Sequence, residues 1–145
     1  MPTSSPFARA ALIWLADAQQ DLTLAQYLVA HPGPAAPWQI AFHAQQACEK
    51  TLKAVITFTR AVDQRHGHDL DRLIQATPTV GWTLRARYPN LAEISAYAVT
   101  TRYQITEAVV SRQQAERAVR LAEGLLRACI VDLQKHGLVL PSGQD

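Results

Sequence analysis

The chain has no Gly-rich loop to cradle a phosphate, no Walker-type lysine and no His-Glu-x-x-His pair. The familiar sequence signatures of P-loop nucleotide hydrolysis and zinc-dependent hydrolysis are therefore absent. Its serines and cysteines have no base in a recognisable nucleophile arrangement. There are only two cysteines, Cys48 and Cys129, both at apolar helical positions. That fits buried free thiols in a reducing compartment rather than a disulfide. No Cys/His pair has zinc-ligand spacing, so neither a metal nor another cofactor is expected. No run reaches the roughly 18–20 apolar residues of a membrane span. Met1 to Pro6 lacks the charged-then-apolar layout of a signal peptide. A cytoplasmic protein without membrane contact is the expectation. An excess of one charge is missing too: the net charge is only +2, which does not by itself imply a nucleic-acid partner. A strand pattern, an internal repeat and a low-complexity segment are all lacking.

What is present is ordinary globular composition, 48% hydrophobic and 18% charged, in a chain of 145 residues that suits one domain with one core. Hydrophobic spacing predicts a first helix over 7–30, with Ala8, Ala11, Leu15, Ala18, Leu22, Ala25 and Val29 as its seam. Asp17 and Asp21 lie one turn apart on another face and read as solvated. His31 to Pro37 holds three prolines and a glycine, a stiff loop of the length that joins antiparallel helices. A second helix runs from Trp38 to about Arg60. A short third helix begins at His68-Asp69-Leu70, with Asp69 as N-cap, and ends near Thr77-Pro78. Thr79 to Asn90 is a connector in which arginines and aromatics interleave. A fourth helix starts near Asn90 and carries Leu91, Ile94, Ser95, Ala98 and Arg102 on one stripe. Ser111-Arg112-Gln113-Gln114 has the form of a capping box and opens the last helix, which Gly137 ends. Its seam is Ala115, Ala118, Ala122, Leu125, Cys129 and Leu133; mixed charges such as Arg112, Glu116, Glu123 and Arg127 mark solvated faces with helical ion pairs. Leu138-Val139-Leu140 then packs on the bundle or on a second subunit. The fold class is all-α: an antiparallel four-helix up-and-down bundle with one short extra helix, core about 7–137, in a single domain spanning 1–145.

The second helix departs from a simple apolar split. Ala41, Ala44, Cys48, Leu52 and Val55 share one face, and His43, Gln46, Lys50, Lys53 and Thr57 the opposite one. Gln45 projects between Leu52 and Ile56 on the apolar side, and Glu49 sits at that side's edge. A buried amide or carboxylate without a partner costs about 1–3 kcal/mol. Arg102, on the apolar stripe of the fourth helix, is the natural partner, so Gln45, Glu49 and Arg102 form a candidate buried network. Lys50 and Lys53, with Gln46 and Tyr103, are candidate ligand-binding residues.

Phe42-His43-Ala44-Gln45-Gln46-Ala47-x-Glu49-Lys50-x-Leu52-Lys53-Ala54, then His68-Asp69-Leu70, then Tyr97-Ala-Val-x-x-Arg102-Tyr103, resembles the HEPN (higher eukaryotes and prokaryotes nucleotide-binding) domain family. The order of the pieces is similar to the branch encoded beside minimal nucleotidyltransferases. The resemblance implies a helical domain that forms a homodimer and binds nucleotide or RNA. A nucleotidyltransferase partner protein and a toxin–antitoxin role follow from the same branch. Many HEPN ribonucleases carry an Arg followed, after four to six residues, by a His; the His moves a proton while the Arg neutralises developing charge on phosphorus. Here the positions that follow Arg102 at that spacing are Glu107, Ala108 and Val109. Arg60 and His66 have the spacing but straddle the end of the second helix, the wrong place for this motif. Non-catalytic binding is the first reading. A metal-independent ribonuclease with Arg102 and His68 as catalytic residues is the alternative, and a purely structural helical interaction module is the other.

Overall fold

The computed structural model describes residues 5–31, 33, 36–59, 70–75, 91, 93–97 and 110–142, the Asp71 side chain excepted. Among them the regular structure is entirely helical. Helix α1 spans Pro6–Ala30, α2 Pro37–Thr59 and α3 Leu70–Gln75. Residues 93–97 form a helical stretch, α4, and α5 spans Arg112–Lys135. The long helices fall within a residue or two of the boundaries that periodicity predicts.

Their ends are made by local chemistry. The Ser5 hydroxyl accepts from the Ala8 amide at 3.0 Å, and Pro6 follows in the first turn, where its missing N–H costs nothing. At the head of α5 the Gln114 amide donates to the Ser111 hydroxyl at 3.0 Å, and the Ser111 amide donates back to the Gln114 side-chain oxygen at 2.9 Å. The expected capping box is there. At its tail Gly137 takes φ 98°, a conformation that disfavours any residue with a Cβ. This lets the Leu138 amide reach the Leu133 carbonyl at 2.9 Å and the Gly137 amide reach that of Gln134 at 3.0 Å. Leu138 is thereby folded into the core and Leu140 packs against it, while Val139 points outward. The Asp69 cap expected for α3 lies outside the described residues; the Leu70 amide donates to the Ser95 hydroxyl at 2.7 Å, tying α3 to α4.

Helix α2 is the centre of the packing and touches α1, α3 and α5. No residue of it is fully exposed, and its buried arc takes in Ile40, Ala47, Thr51 and Ala54 as well as the expected apolar face. Thr51 satisfies its buried hydroxyl by donating to the Ala47 carbonyl at 2.7 Å. The seams expected on α1 and α5 are buried residue for residue, except that Val29 is only partly so. Cys48 and Cys129 are both buried and free of disulfides, and burial pushes the Cys48 thiol up to about 12. Helices α1 and α2 run antiparallel: Lys53 meets Trp14, whereas the lower-numbered Lys50 and His43 meet the higher-numbered Asp21. Arg112 at the head of α5 donates to the Val29 carbonyl near the end of α1. Among the described residues no helix is long and apolar enough to cross a membrane.

Candidate functional site

The polar edge of α2 is not a solvated face. Because α2 is wrapped by its neighbours, even its lysines are half-buried, and each has found a carboxylate. Lys50 Nζ donates to Asp21 Oδ2 at 2.6 Å, and His43 Nδ1 lies 3.0 Å from Asp21 Oδ1. Asp21 thus bridges two turns of α2 from α1. With an ionised Asp21, His43 Nδ1 carries a proton and donates to Oδ1. One turn further along, Lys53 Nζ donates to Glu49 Oε2 at 3.3 Å and rests 5.3 Å from the centre of the Trp14 ring. The amide of Gln45 reaches Glu49 Oε1 at a long 3.5 Å, and its oxygen accepts from Gln46 Nε2 at 2.6 Å.

Gln45, Gln46, Glu49 and Lys53 therefore form one connected chain. Gln45 and Glu49 are buried, 0% and 3% exposed, as the sequence pattern predicts. Lys50 stands beside this chain but belongs to Asp21. Among the described residues two carboxylates, Asp21 and Glu49, face two ammonium groups, Lys50 and Lys53. An anion arriving at either lysine must compete with a carboxylate already in place. Arg102, His68 and Tyr103 lie outside the described residues. So do Arg60, His66 and Asp69. Among the described residues no three His, Cys, Asp or Glu groups gather as a metal site would require.

The reading of Asp21 as a solvated carboxylate is corrected by this geometry. Its side chain is 14% exposed, and those of His43 and Lys50 are 27% and 25%. Burial pushes the Asp21 carboxyl up, but hydrogen bonds from His43 and Lys50, with their charges, outweigh it and hold the group below the usual carboxylate range. Asp21, His43 and Trp14 are the residues that inspection of helix faces alone did not bring to the site. A signal for them was available. Folding the chain back at Gly33 places Asp21 level with Gln45, about twelve residues either side of the turn, within a turn or so of both His43 and Lys50.

A folded-state carboxyl below its unfolded value of about 3.9 adds stability above that pH and loses it as pH falls toward the folded value. Asp21→Asn is therefore expected to cost about 1 kcal/mol near neutral pH, the scale of a partly buried ion pair. In denaturant melts the gap between the two proteins should close below about pH 4. A gap that stays constant down to acid pH would contradict the pairing.

Long helices packed around a central helix that carries its own buried polar chain define an all-helical domain. A family model for the HEPN domain matches residues 11–134. The chain belongs to the HEPN domain family, whose members are typically helical domains concerned with nucleotides or RNA. No curated protein and no solved structure matches the chain significantly.

Proposed function

We propose that this HEPN protein binds nucleotide or RNA without cleaving it and works in the cytosol beside a minimal nucleotidyltransferase, as one half of a toxin–antitoxin pair. The observation that carries this is Arg102 without a histidine at the spacing the ribonuclease motif needs; Glu107, Ala108 and Val109 stand there instead. An arginine retained without the proton carrier can still neutralise phosphate. Lys50 and Lys53 contribute by exchanging Asp21 and Glu49 for phosphate oxygens, with Gln46 and Tyr103 as hydrogen-bonding neighbours. In this reading α1, α2 and α5 are three members of an antiparallel four-helix bundle. The fourth runs from Asn90 toward Arg102 and turns Arg102 to Glu49 and Gln45. The protein acts as a homodimer.

Calorimetry with ATP, GTP and a short single-stranded RNA tests this. Binding is expected with at least one of them, weakened about tenfold or more in Arg102→Ala, the size of one charge-assisted phosphate contact. Absence of heat with all three, or an unchanged affinity in the variant, rejects the reading. Metal-independent RNA cleavage that disappears in His68→Ala would replace it with the ribonuclease alternative.

A further inference from the structure

We infer that Lys50 takes a phosphate group only together with a proton: Asp21 lets go of Lys50 as His43 becomes an imidazolium. The inference rests on the binding reading above and adds the regulation of that site.

Asp21 divides its two oxygens between two turns of α2. Oδ2 accepts from Lys50 Nζ at 2.6 Å, and Oδ1 accepts from His43 Nδ1 at 3.0 Å. The carboxylate is mostly buried, so water replaces little of what it loses. Burial alone would push the Asp21 carboxyl up, and the bonds and charges of His43 and Lys50 hold it down. Removing one partner from such a carboxylate is costly unless another compensates. Lys50 is therefore not a free cation. A phosphate that takes Lys50 leaves Asp21 with His43 alone.

The outcome then depends on the imidazole. A neutral His43 gives Asp21 one hydrogen bond and no charge. An imidazolium gives the same bond and a full positive charge, and such a pair is the stronger one. A protonated His43 holds Asp21 by itself and leaves Lys50 to the phosphate. Imidazole ordinarily gains its charge between about pH 5 and 8. His43 is only half-buried, so solvent can supply the proton. Among the described residues the ion pairs of Asp21, His43 and Lys50 are with one another. Asp17, one turn before Asp21 on α1, makes none with them, and α3 and α5, which also pack on α2, bring no charged group into them. Linkage makes the exchange reciprocal: a phosphate that favours the proton on His43 is bound more tightly once that proton is present. Affinity therefore rises as pH falls through the imidazole range.

Calorimetry of the full chain with a short oligouridylate tests this, because neither its phosphodiesters nor its bases titrate between about pH 6 and 8, where imidazole does. Affinity is expected to be about tenfold higher at the lower pH, the effect of a one-unit shift in a linked group. Proton uptake on binding is expected to appear as heat that varies with the ionisation enthalpy of the buffer. His43→Asn puts an amide near the place of Nδ1 that cannot become charged; it is expected to take up no proton and to bind equally at both pH values. Asp21→Asn removes the competing charge and is expected to bind at the higher pH as tightly as the wild type does at the lower. Lys50→Ala is expected to weaken binding at the lower pH. ATP is the second probe; its own phosphate titrates, so the difference in proton uptake between wild type and His43→Asn isolates the histidine. No binding of either probe at either pH overturns this inference together with the reading it rests on. Binding with the same proton uptake in wild type and His43→Asn, or binding undiminished in Lys50→Ala, overturns the inference alone.

Discussion

Glu49→Ala is expected to lower the unfolding free energy by about 2 kcal/mol. One nearly buried methylene group is lost with the carboxylate, worth about 0.8 kcal/mol. The Gln45 amide, fully enclosed, also loses the Oε1 acceptor it has at 3.5 Å, a net hydrogen bond worth about 1 kcal/mol. Lys53 also loses its carboxylate, but this adds little. Its side chain is partly exposed over Trp14 and can turn its ammonium group to water. Glu49→Gln keeps the methylenes and an acceptor oxygen, so its cost should stay below about 1 kcal/mol. Urea melts of the two variants separate the contributions. Equal losses would mean that the charge, not the packing and the amide contact, is what Glu49 supplies. An unchanged midpoint in Glu49→Ala would remove the polar chain from any account of stability.

The faces of the helices were legible in the sequence because burial follows a period. Every alanine and leucine on the α5 seam from Ala115 to Leu133 is buried where 100° per residue puts it. The same rule picks out Gln45 and Glu49 as inward polar residues, since a face is a property of one helix. The Ser111 box and Gly137 were legible because each cap is a contact between residues three to five apart. The polar side of α2 was not. A residue such as Lys50 reads as solvated when only its own helix is considered, and whether water reaches it depends on what packs alongside. Pairing Asp21 with Lys50 and His43 requires the height at which α1 lies against α2. Periodicity carries no information on height; only the position of the turn at Gly33 does. Membership of the HEPN family was legible for a different reason, the order of three short motifs along most of the chain, and the match over 11–134 agrees with it. The roles of Arg102 and His68 depend on what faces them across helices, which the spacing of a motif does not specify.

Ala18→Leu is expected to cost about 1–3 kcal/mol, at the upper end of that range, and to loosen the polar cluster as well. Ala18 is fully enclosed, and the contacting helices α1 and α2 are both lined with alanine: Ala8, Ala11, Ala18 and Ala25 on one, Ala41, Ala44, Ala47 and Ala54 on the other. Small side chains allow two helix axes to approach toward the short end of the usual range, about 8 Å. That closeness lets the short Asp21 side chain touch both His43 and Lys50. Three added carbons at Ala18, one turn from Asp21, have no space and must push the helices apart. The hydrogen bonds that hold the Asp21 carboxyl below its ordinary range should lengthen with them. Carboxyl titration followed by carbon NMR is expected to show Asp21 moving up toward the ordinary range in Ala18→Leu. A destabilised variant with an unmoved Asp21 titration would mean that the cluster is held by its own ion pairs, independently of the alanine seam. A variant as stable as the wild type would mean that α1 and α2 have room between them that the buried alanines do not suggest.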